Sequence, residues 1–378
     1  MHNKRFAEFF AGGGMVSAAL PGWECVFAND IDAKKAASYR ANHAHHRVFH
    51  QGDIAQIKGA DIGATPNLIW GSFPCQDLSL AGAGAGLRGQ RSGTYFEFWR
   101  IIDELADAGR APEIVVIENV VGSLTSHGGR DFESICAAFA RRGYQFGPMI
   151  LDAKDFLPQS RPRLFVVGVK DVDVPASLKG GDQRVDARII KATTGLSART
   201  RKALIHWNLP AAQTRRRTVR QVIDPRPSDV VWHTQSQTDQ LLSMMAPLHV
   251  EKVRNAAKRK APAIGFVYKR TRHDADGRKV QRAEVRFDGV AGCLRTPGGG
   301  SSRQIVMVVD GGTIKSRLLS VREAARLMGL PERYKLPTNY NEGYHLIGDG
   351  VAVPVVRYLD QALFTPLLDQ SAMMIAAE

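Results

Sequence analysis

Short apolar runs alternate with amphipathic stretches through the first 170 residues. The runs predict strands at Arg5–Phe10, Glu24–Asn29, Arg47–Gln51, Asn67–Ser72, Glu113–Glu118, Gln145–Leu151 and Leu164–Val169. Apolar positions at helical spacing between them predict helices at Met15–Leu20, Ala33–Asn42, Thr94–Ala108 and Asp131–Arg142. Such alternation predicts an α/β fold with a doubly wound, mostly parallel sheet, whose ligands bind beyond the carboxyl ends of the strands. From about Pro175 to Pro227 the periodicity gives way to a basic connector containing Arg215-Arg216-Arg217. The next hundred residues are rich in turns, with short strands at Ala283–Phe287 and Gln304–Val309 and a Gly298–Ser302 stretch. Ser320–Met328 reads as a helix with Ser320 as N-cap and Glu323 completing a capping box. His345–Leu359 is apolar again and returns the chain to the first domain. The division expected is a large domain of residues 1–225 and 340–378, with a smaller strand- and loop-rich domain at 226–339.

Composition narrows the class. With 44% hydrophobic residues in 378, the chain has enough apolar material for real cores, which excludes disorder as its overall state. Cys25, Cys75, Cys136 and Cys293 are widely spaced and form no CxxC pair, against both a disulfide framework and structural zinc. No run of about 18 apolar residues appears, and Met1–Arg5 leads straight into strand-like Phe6–Phe10. The expectation is a soluble cytoplasmic protein. Its formal charge is +14, and between Asp171 and Ser302 there are 25 Lys/Arg against 12 Asp/Glu, so nearly all the excess lies in one third of the chain. That concentration points to a polyanion, nucleic acid ahead of a membrane surface, because no basic amphipathic stretch with an aromatic face accompanies it.

Three strand ends carry groups suited to a nucleotide. The first leads into Phe10-Ala11-Gly12-Gly13-Gly14-Met15, where glycines let backbone amides approach a ligand. The second ends in Asn29-Asp30-Ile31-Asp32, with a carboxylate placed for ribose hydroxyls, and the third in Gly52-Asp53-Ile54. Together they indicate an adenosine site, with a nicotinamide dinucleotide still open at this point.

The fourth strand runs into Gly71-Ser72-Phe73-Pro74-Cys75-Gln76-Asp77-Leu78-Ser79 and the fifth into Ile117-Glu118-Asn119-Val120. A lone cysteine is ordinarily a small buried hydrophobe. Cys75 instead follows a proline at a strand end and opens the Gly-rich Ala81–Gly89, which reads as a mobile lid carrying Arg88 and Arg91 toward phosphates.

At these residues the chain resembles the DNA (cytosine-5)-methyltransferase family of bacterial restriction-modification systems. Pro74-Cys75-Gln76, Glu118-Asn119-Val120 and the Gln-x-Arg-x-Arg of Gln159–Arg163 occur in the family's order. So do the Phe10–Gly14 turn, Arg322–Gly329 and Gly348-Asp349-Gly350-Val351, so the resemblance spans nearly the whole chain and leaves only the basic segment unmatched. It implies a Rossmann-like S-adenosylmethionine-dependent methyltransferase domain with a small target-recognition domain. It implies further that Cys75 is the nucleophile, that Glu118 hydrogen-bonds the cytosine ring nitrogen N3, and that Arg163 holds O2 and orients Glu118, with Arg161 as support or phosphate contact. Carbon 5 of cytosine is a poor nucleophile, and thiolate addition at carbon 6 makes it enamine-like. On the same resemblance Phe10 and Ile31 sandwich the adenine, Asp30 takes the ribose, Asp53 the adenine amino group with Ile54 beside it, Gly12 and Gly14 face the methionine part, and Asp349 lies near the cofactor. Gln76, Ser79, Arg88, Arg91, Arg295, Thr296 and Gly299 are expected at the DNA, with specificity set between His233 and Arg303.

Two departures stand out: Glu8 where the family has Asp, and Asp349 where it has Asn. A carboxylate at 349 predicts discrimination against donors bearing an extra anionic group. His43, His45, His46 and His50 lack a matching Cys/His set, so no metal is expected. The implied partner is double-stranded DNA, with a cognate restriction endonuclease acting on the same site but forming no stable complex. No membrane partner is implied, and a monomer associated with the nucleoid is the default. The alternatives are an RNA cytosine-5 methyltransferase, a catalytically silent DNA-binding regulator and, more weakly, a nicotinamide dehydrogenase.

Overall fold

The computed structural model describes residues 4–45, 47–73, 93–180, 185–212, 217–274, 276–295 and 303–375. They divide into two compact units, Met1–Asp152 with Pro162–Ala211 and Val355–Glu378, and Ala153–Arg161 with Ala212–Pro354.

In the first unit β1 (Arg5–Phe9), β2 (Glu24–Asp30), β3 (Phe49–Gln51), β4 (Leu68–Gly71), β5 (Ile114–Val120), β6 (Gln145–Asp152) and β7 (Pro162–Val169) form one sheet in the order β3-β2-β1-β4-β5-β7-β6. The pairs from β3 to β5 are parallel, and β7 runs antiparallel to both β5 and β6. Leu68–Gly71 and Ile114–Asn119 are buried throughout, the pattern of strands covered on both faces. From β1 the chain winds outward through β2 and β3, then returns to place β4 on β1's other side. This reversal opens a crevice beyond the carboxyl ends of β1 and β4.

The covering helices are α1 (Met15–Ala19), α2 (Ala33–Asn42), α3 (Gly93–Asp107) and α4 (Arg130–Arg141). Asp32 caps α2 by accepting the Lys34 and Lys35 amides. Phe98, Trp99, Ile102 and Leu105 of α3 and Phe132, Ile135 and Phe139 of α4 supply much of the core. The connector expected to be irregular begins with two short helices, α5 (Ala187–Thr194) and α6 (Ala198–Lys202), and Ile189 and Leu196 anchor this stretch in the same core. Helices of one or two turns are too brief for a hydrophobic period to register.

The second unit holds α7 (Val219–Val222), α8 (Gln235–Ser243), α9 (Pro247–Ala257) and four antiparallel strands, β8 (Ala263–His273), β9 (Lys279–Arg286), β10 (Ile305–Asp310) and β11 (Thr313–Leu318), in the order β11-β10-β8-β9. Leu241, Met245, Val253, Val267, Val285 and Met307 form its core. α10 (Val321–Leu327) starts at the expected capping box, and α11 (Tyr340–Asp349) follows. The boundaries lie at 211/212 and 354/355 instead of 225 and 340. The reason is local: Tyr344 of α11 accepts the Gln304 amide, and Gln159 donates to the Leu327 carbonyl, which ties 153–161 and 340–354 to the second unit.

α12 (Val353–Leu359) and α13 (Thr365–Ile375) flank a π-helical turn, Asp360–Phe364, and Phe364 meets Trp70 edge to face at 6.5 Å. The stretch Tyr340–Gln370 is long and apolar enough to cross a membrane, yet 61% of its most apolar window is buried in protein.

Candidate active site

The turn after β1 is shaped by its backbone. Phe10 has φ 59°, Gly12 54° and Gly14 77°, so three of five consecutive residues are left-handed and one of these is not glycine. The Gly14 amide closes the turn on the Ala11 carbonyl at 2.8 Å, and the Ala11 amide reaches Asn29 O at 2.9 Å. Asp30, buried at the end of β2, accepts the Gly12 amide on Oδ2 and the Asp32 amide on Oδ1, both at 2.8 Å. Each oxygen keeps a second lone pair for a ribose hydroxyl. The Gly52 amide meets the Asp30 carbonyl at 3.1 Å, which brings the third strand end to the second.

These residues fit the nucleoside-sulfonium cofactor that the resemblance implies. Among the described residues no atom lies within 4 Å of where a Gly12 Cβ would sit, so they leave that face open. Ile31 is 66% exposed, an apolar side chain ready to cover a ring, and Asp53 is exposed after the third strand. A Cβ on Gly14 would stand 2.5 Å from the His43 ring and 2.9 Å from Tyr39, so the packing by itself requires glycine there, whatever its backbone faces. One expectation changes. Ile54 is 3% exposed and fills the core, which leaves any adenine contact at this strand end to Asp53.

Behind the turn lies a network that the sequence did not announce. Glu8, buried on β1, accepts the Ser17 hydroxyl at 2.7 Å, Ser17 meets the Tyr39 hydroxyl at 2.9 Å, and Tyr39 meets Cys25 Sγ at 3.6 Å. Burial pushes the Glu8 carboxyl up to about 8, against the opposing Ser17 hydrogen bonds. It also lifts the Cys25 thiol to about 12 and lowers the His43 imidazole to about 4. Only the change from Asp to Glu at position 8 hinted at it.

At the other side of the crevice β5 ends in Glu118 and Asn119. Antiparallel pairing sets Val120 opposite Arg163, and Arg163 Nε lies 3.1 Å from Glu118 Oε1, with side chains 16% and 10% exposed. Glu118 Oε2 makes no hydrogen bond among the described residues, so one oxygen is oriented and the other is available. Asn119 donates to the Phe73 carbonyl at 3.2 Å and accepts from the Val120 amide and the Ser123 hydroxyl. It thereby holds the strand end two residues before Cys75 beside Glu118. Cys75, Gln76, Ser79, Arg88 and Arg91 lie outside the described residues, as do Thr296 and Gly299.

Arg161 belongs to the second unit and is 3% exposed. Its guanidinium donates to the carbonyls of Leu294, Gly348 and Gly350 at 2.7–2.9 Å, so it supports the closing loop and cannot serve as a phosphate contact. Pinning Leu294 presents the exposed Arg295 next in sequence, and pinning both neighbours of Asp349 fixes the end of α11 that carries that exposed carboxylate.

The family model described as C-5 cytosine-specific DNA methylase matches residues 4–365. The type II methyltransferase M.NlaX of Neisseria lactamica is 26% identical over 364 residues, covering 95% of this chain and 96% of its own. M.HhaI of Haemophilus parahaemolyticus is 24% identical over 367 residues, 94% of this chain and 92% of its own. Among solved structures, the Dnmt2 methyltransferase of S. pombe superposes with a TM-score of 0.62 at 20% identity, over 97% of this chain and 99% of its own.

Proposed function

The chain belongs to the C-5 cytosine-specific DNA methylase family and is an S-adenosylmethionine-dependent cytosine-5 methyltransferase, and on that premise we propose that its substrate is a cytosine within a specific sequence of double-stranded DNA. The observation that carries the reading is the Arg163–Glu118 pair with its open Oε2, set by Asn119 beside the strand that leads into Pro74-Cys75-Gln76. Support for DNA comes from the basic excess between Asp171 and Ser302 and from the type II relatives.

The mechanism follows from these groups. The target base leaves the duplex at a cost of a few kcal/mol, which phosphate contacts offset. The Cys75 thiolate bonds to carbon 6, and the displaced electron pair is stabilised through N3, where Glu118 Oε2 hydrogen-bonds. Arg163 keeps Glu118 Oε1 engaged and neutralises charge near O2. The cofactor, held at Phe10, Gly12, Asp30, Ile31 and Asp53, supplies an electrophilic methyl group when bound. Loss of the carbon-5 proton to a base and expulsion of the thiolate restore the aromatic ring. Arg88, Arg91, Gln76, Ser79, Arg295, Thr296 and Gly299 are assigned to DNA contacts. A monomer acting at the nucleoid, sharing its site with a restriction endonuclease, completes the reading.

The test is methyl transfer to duplex DNA and to an RNA transcript of matched sequence, with 5-fluorocytosine as trap. A covalent adduct on DNA through Cys75, absent in Cys75→Ser, is expected. RNA cytosine is the second reading because the same fold and thiol chemistry serve either polymer, and methylation of the transcript alone would establish it. Asp349 adds a finer expectation: wild type discriminates against anionic donor analogues and Asp349→Asn relaxes this, whereas unchanged preference removes Asp349 from the donor site.

A further inference from the structure

The hairpin of β8 and β9 outgrows its sheet. β10 pairs with β8 only from Ala263 to Val267, whereas β9 stays paired with β8 as far as His273. Six residue pairs, from Tyr268 with Glu284 to His273 with Lys279, therefore form a two-stranded ribbon about 20 Å long. Its tip is a tight turn in which Asp274 Oδ1 accepts the amides of Asp276 and Arg278, and Gly277 takes φ 77°. Between Tyr268 and Arg286 there are seven Lys/Arg against three Asp/Glu, and Arg270, Thr271, Arg272 and His273 are all exposed.

One face of this ribbon is arranged against its own stability. Residues directly opposite in an antiparallel pair share a face, and like charges placed so destabilise it. Arg270 stands opposite Arg282, with Arg272 further along the same face. Glu284 is that face's one carboxylate between Tyr268 and Glu284, and it is already divided: Oε2 lies 3.3 Å from Arg270 and Oε1 accepts Arg272 Nε at 2.9 Å. Arg270 also lies 5.7 Å over the Tyr268 ring. Arg282 has no carboxylate partner among the described residues. An acceptor from outside would relieve the opposition.

Resting on the reading of duplex DNA as substrate, we propose that this ribbon enters the major groove and that Arg282 is a specificity-determining residue that reads a guanine. The major groove of B-form DNA admits a two-stranded ribbon, and an arginine fork matches O6 and N7 of guanine. A-form RNA offers no equivalent, since its major groove is too deep and narrow for side chains to read. Glu284 holds Arg270 and Arg272 as the flanking cations for phosphates, which leaves Arg282 for a base edge.

The experiment treats unmethylated genomic DNA, and separately an RNA transcript, with wild type, Arg282→Ala and Arg282→Lys, and maps methylated cytosines by bisulfite sequencing. Calorimetric binding of S-adenosylmethionine at wild-type affinity verifies folding. Both variants are expected to lose about 5- to 100-fold discrimination at one G·C position, because lysine keeps the charge and lacks the fork. If Arg282→Lys restores the wild-type site, or if both variants weaken methylation uniformly across sequences with a shallower salt dependence, the residue touches phosphate only and the assignment is overturned. Unchanged site preference in both variants overturns it as well. In each of those cases wild type still methylates DNA, so the substrate reading stands. Methylation of the transcript alone by wild type overturns both.

Discussion

Each unit contains an arginine–glutamate pair, one fully buried and one partly exposed, and the two differ in how far the carboxylate is engaged. In the second unit Arg317 and Glu323 are fully buried, 2.6 Å apart. Glu323 Oε1 also accepts the Asp224 amide at 2.7 Å, Oε2 also accepts Arg317 Nη1 and the Ser320 amide at 2.8 Å, and Arg317 reaches the carbonyls of Asp224 and Leu318. Every carboxylate oxygen is doubly engaged, so no valence remains for a ligand. In the first unit Arg163 meets Glu118 through one oxygen at 3.1 Å, at the crevice end of a strand. The same two residue types make a saturated joint in one place and leave a carboxylate oxygen open in the other, and only the open one has an oxygen to offer a ligand.

That contrast breaks most visibly at Glu118. Glu118→Gln keeps the shape and removes the carboxyl group that proton transfer at N3 would use, so single-turnover methylation should fall about 10²- to 10⁴-fold while S-adenosylmethionine binding persists. A rate within threefold of wild type would show that Oε2 does not serve N3. The mirror experiment at Glu323 should appear in stability. Glu323→Ala leaves Arg317 charged and buried, at a cost of about 3–5 kcal/mol in denaturant unfolding, and Arg317→Met with Glu323→Leu should recover most of it. Equal losses in the single and double variants would mean that the pair is not the source.

The sequence made some of this legible and hid the rest for physical reasons. β1, β2, β4, β5, α2, α3 and α4 emerged within a few residues because buried strands and long amphipathic helices carry strong periods. The Ser320–Glu323 capping box also stands as expected, with Ser320 Oγ accepting the Glu323 amide at 3.1 Å. Yet nothing local told that Glu323 carries an ion pair as well, since Arg317 comes from the preceding strand. β8 was missed because its second half, Lys269-Arg270-Thr271-Arg272-His273, alternates polar with polar where the ribbon leaves the core. Arg161 looked like Arg163 in one short motif, and only the fold separates them: one guanidinium bonds backbone carbonyls and the other a carboxylate. Asn119 was visible as part of a triplet, but its grip on Phe73 O is a contact across strands that no spacing encodes.

Glu8 takes a third course and gives the smallest effect. It is as buried as Glu323, but its neighbours are Ser17 and, through it, Tyr39 and Cys25, with Asp30 adding negative charge and His43 packed beyond Tyr39. No cation meets it among the described residues, and burial raises its carboxyl from about 4.5 to about 8. The unfolded chain releases this proton near 4.5 while the folded protein keeps it, so the contribution is fully present below 4.5 and is lost as pH rises toward 8. His43, lowered to about 4 by burial, works in the opposite direction between 4 and its ordinary 6.5, which leaves pH 6.5–8 as the window where Glu8 is read without it. Across that window wild type should lose up to about 2 kcal/mol of unfolding free energy relative to Glu8→Gln, whose amide does not titrate. Parallel stability curves for the two proteins would show that Glu8 is ionised in the fold, and the division among saturated, half-open and cation-free carboxyls would then lose its third member.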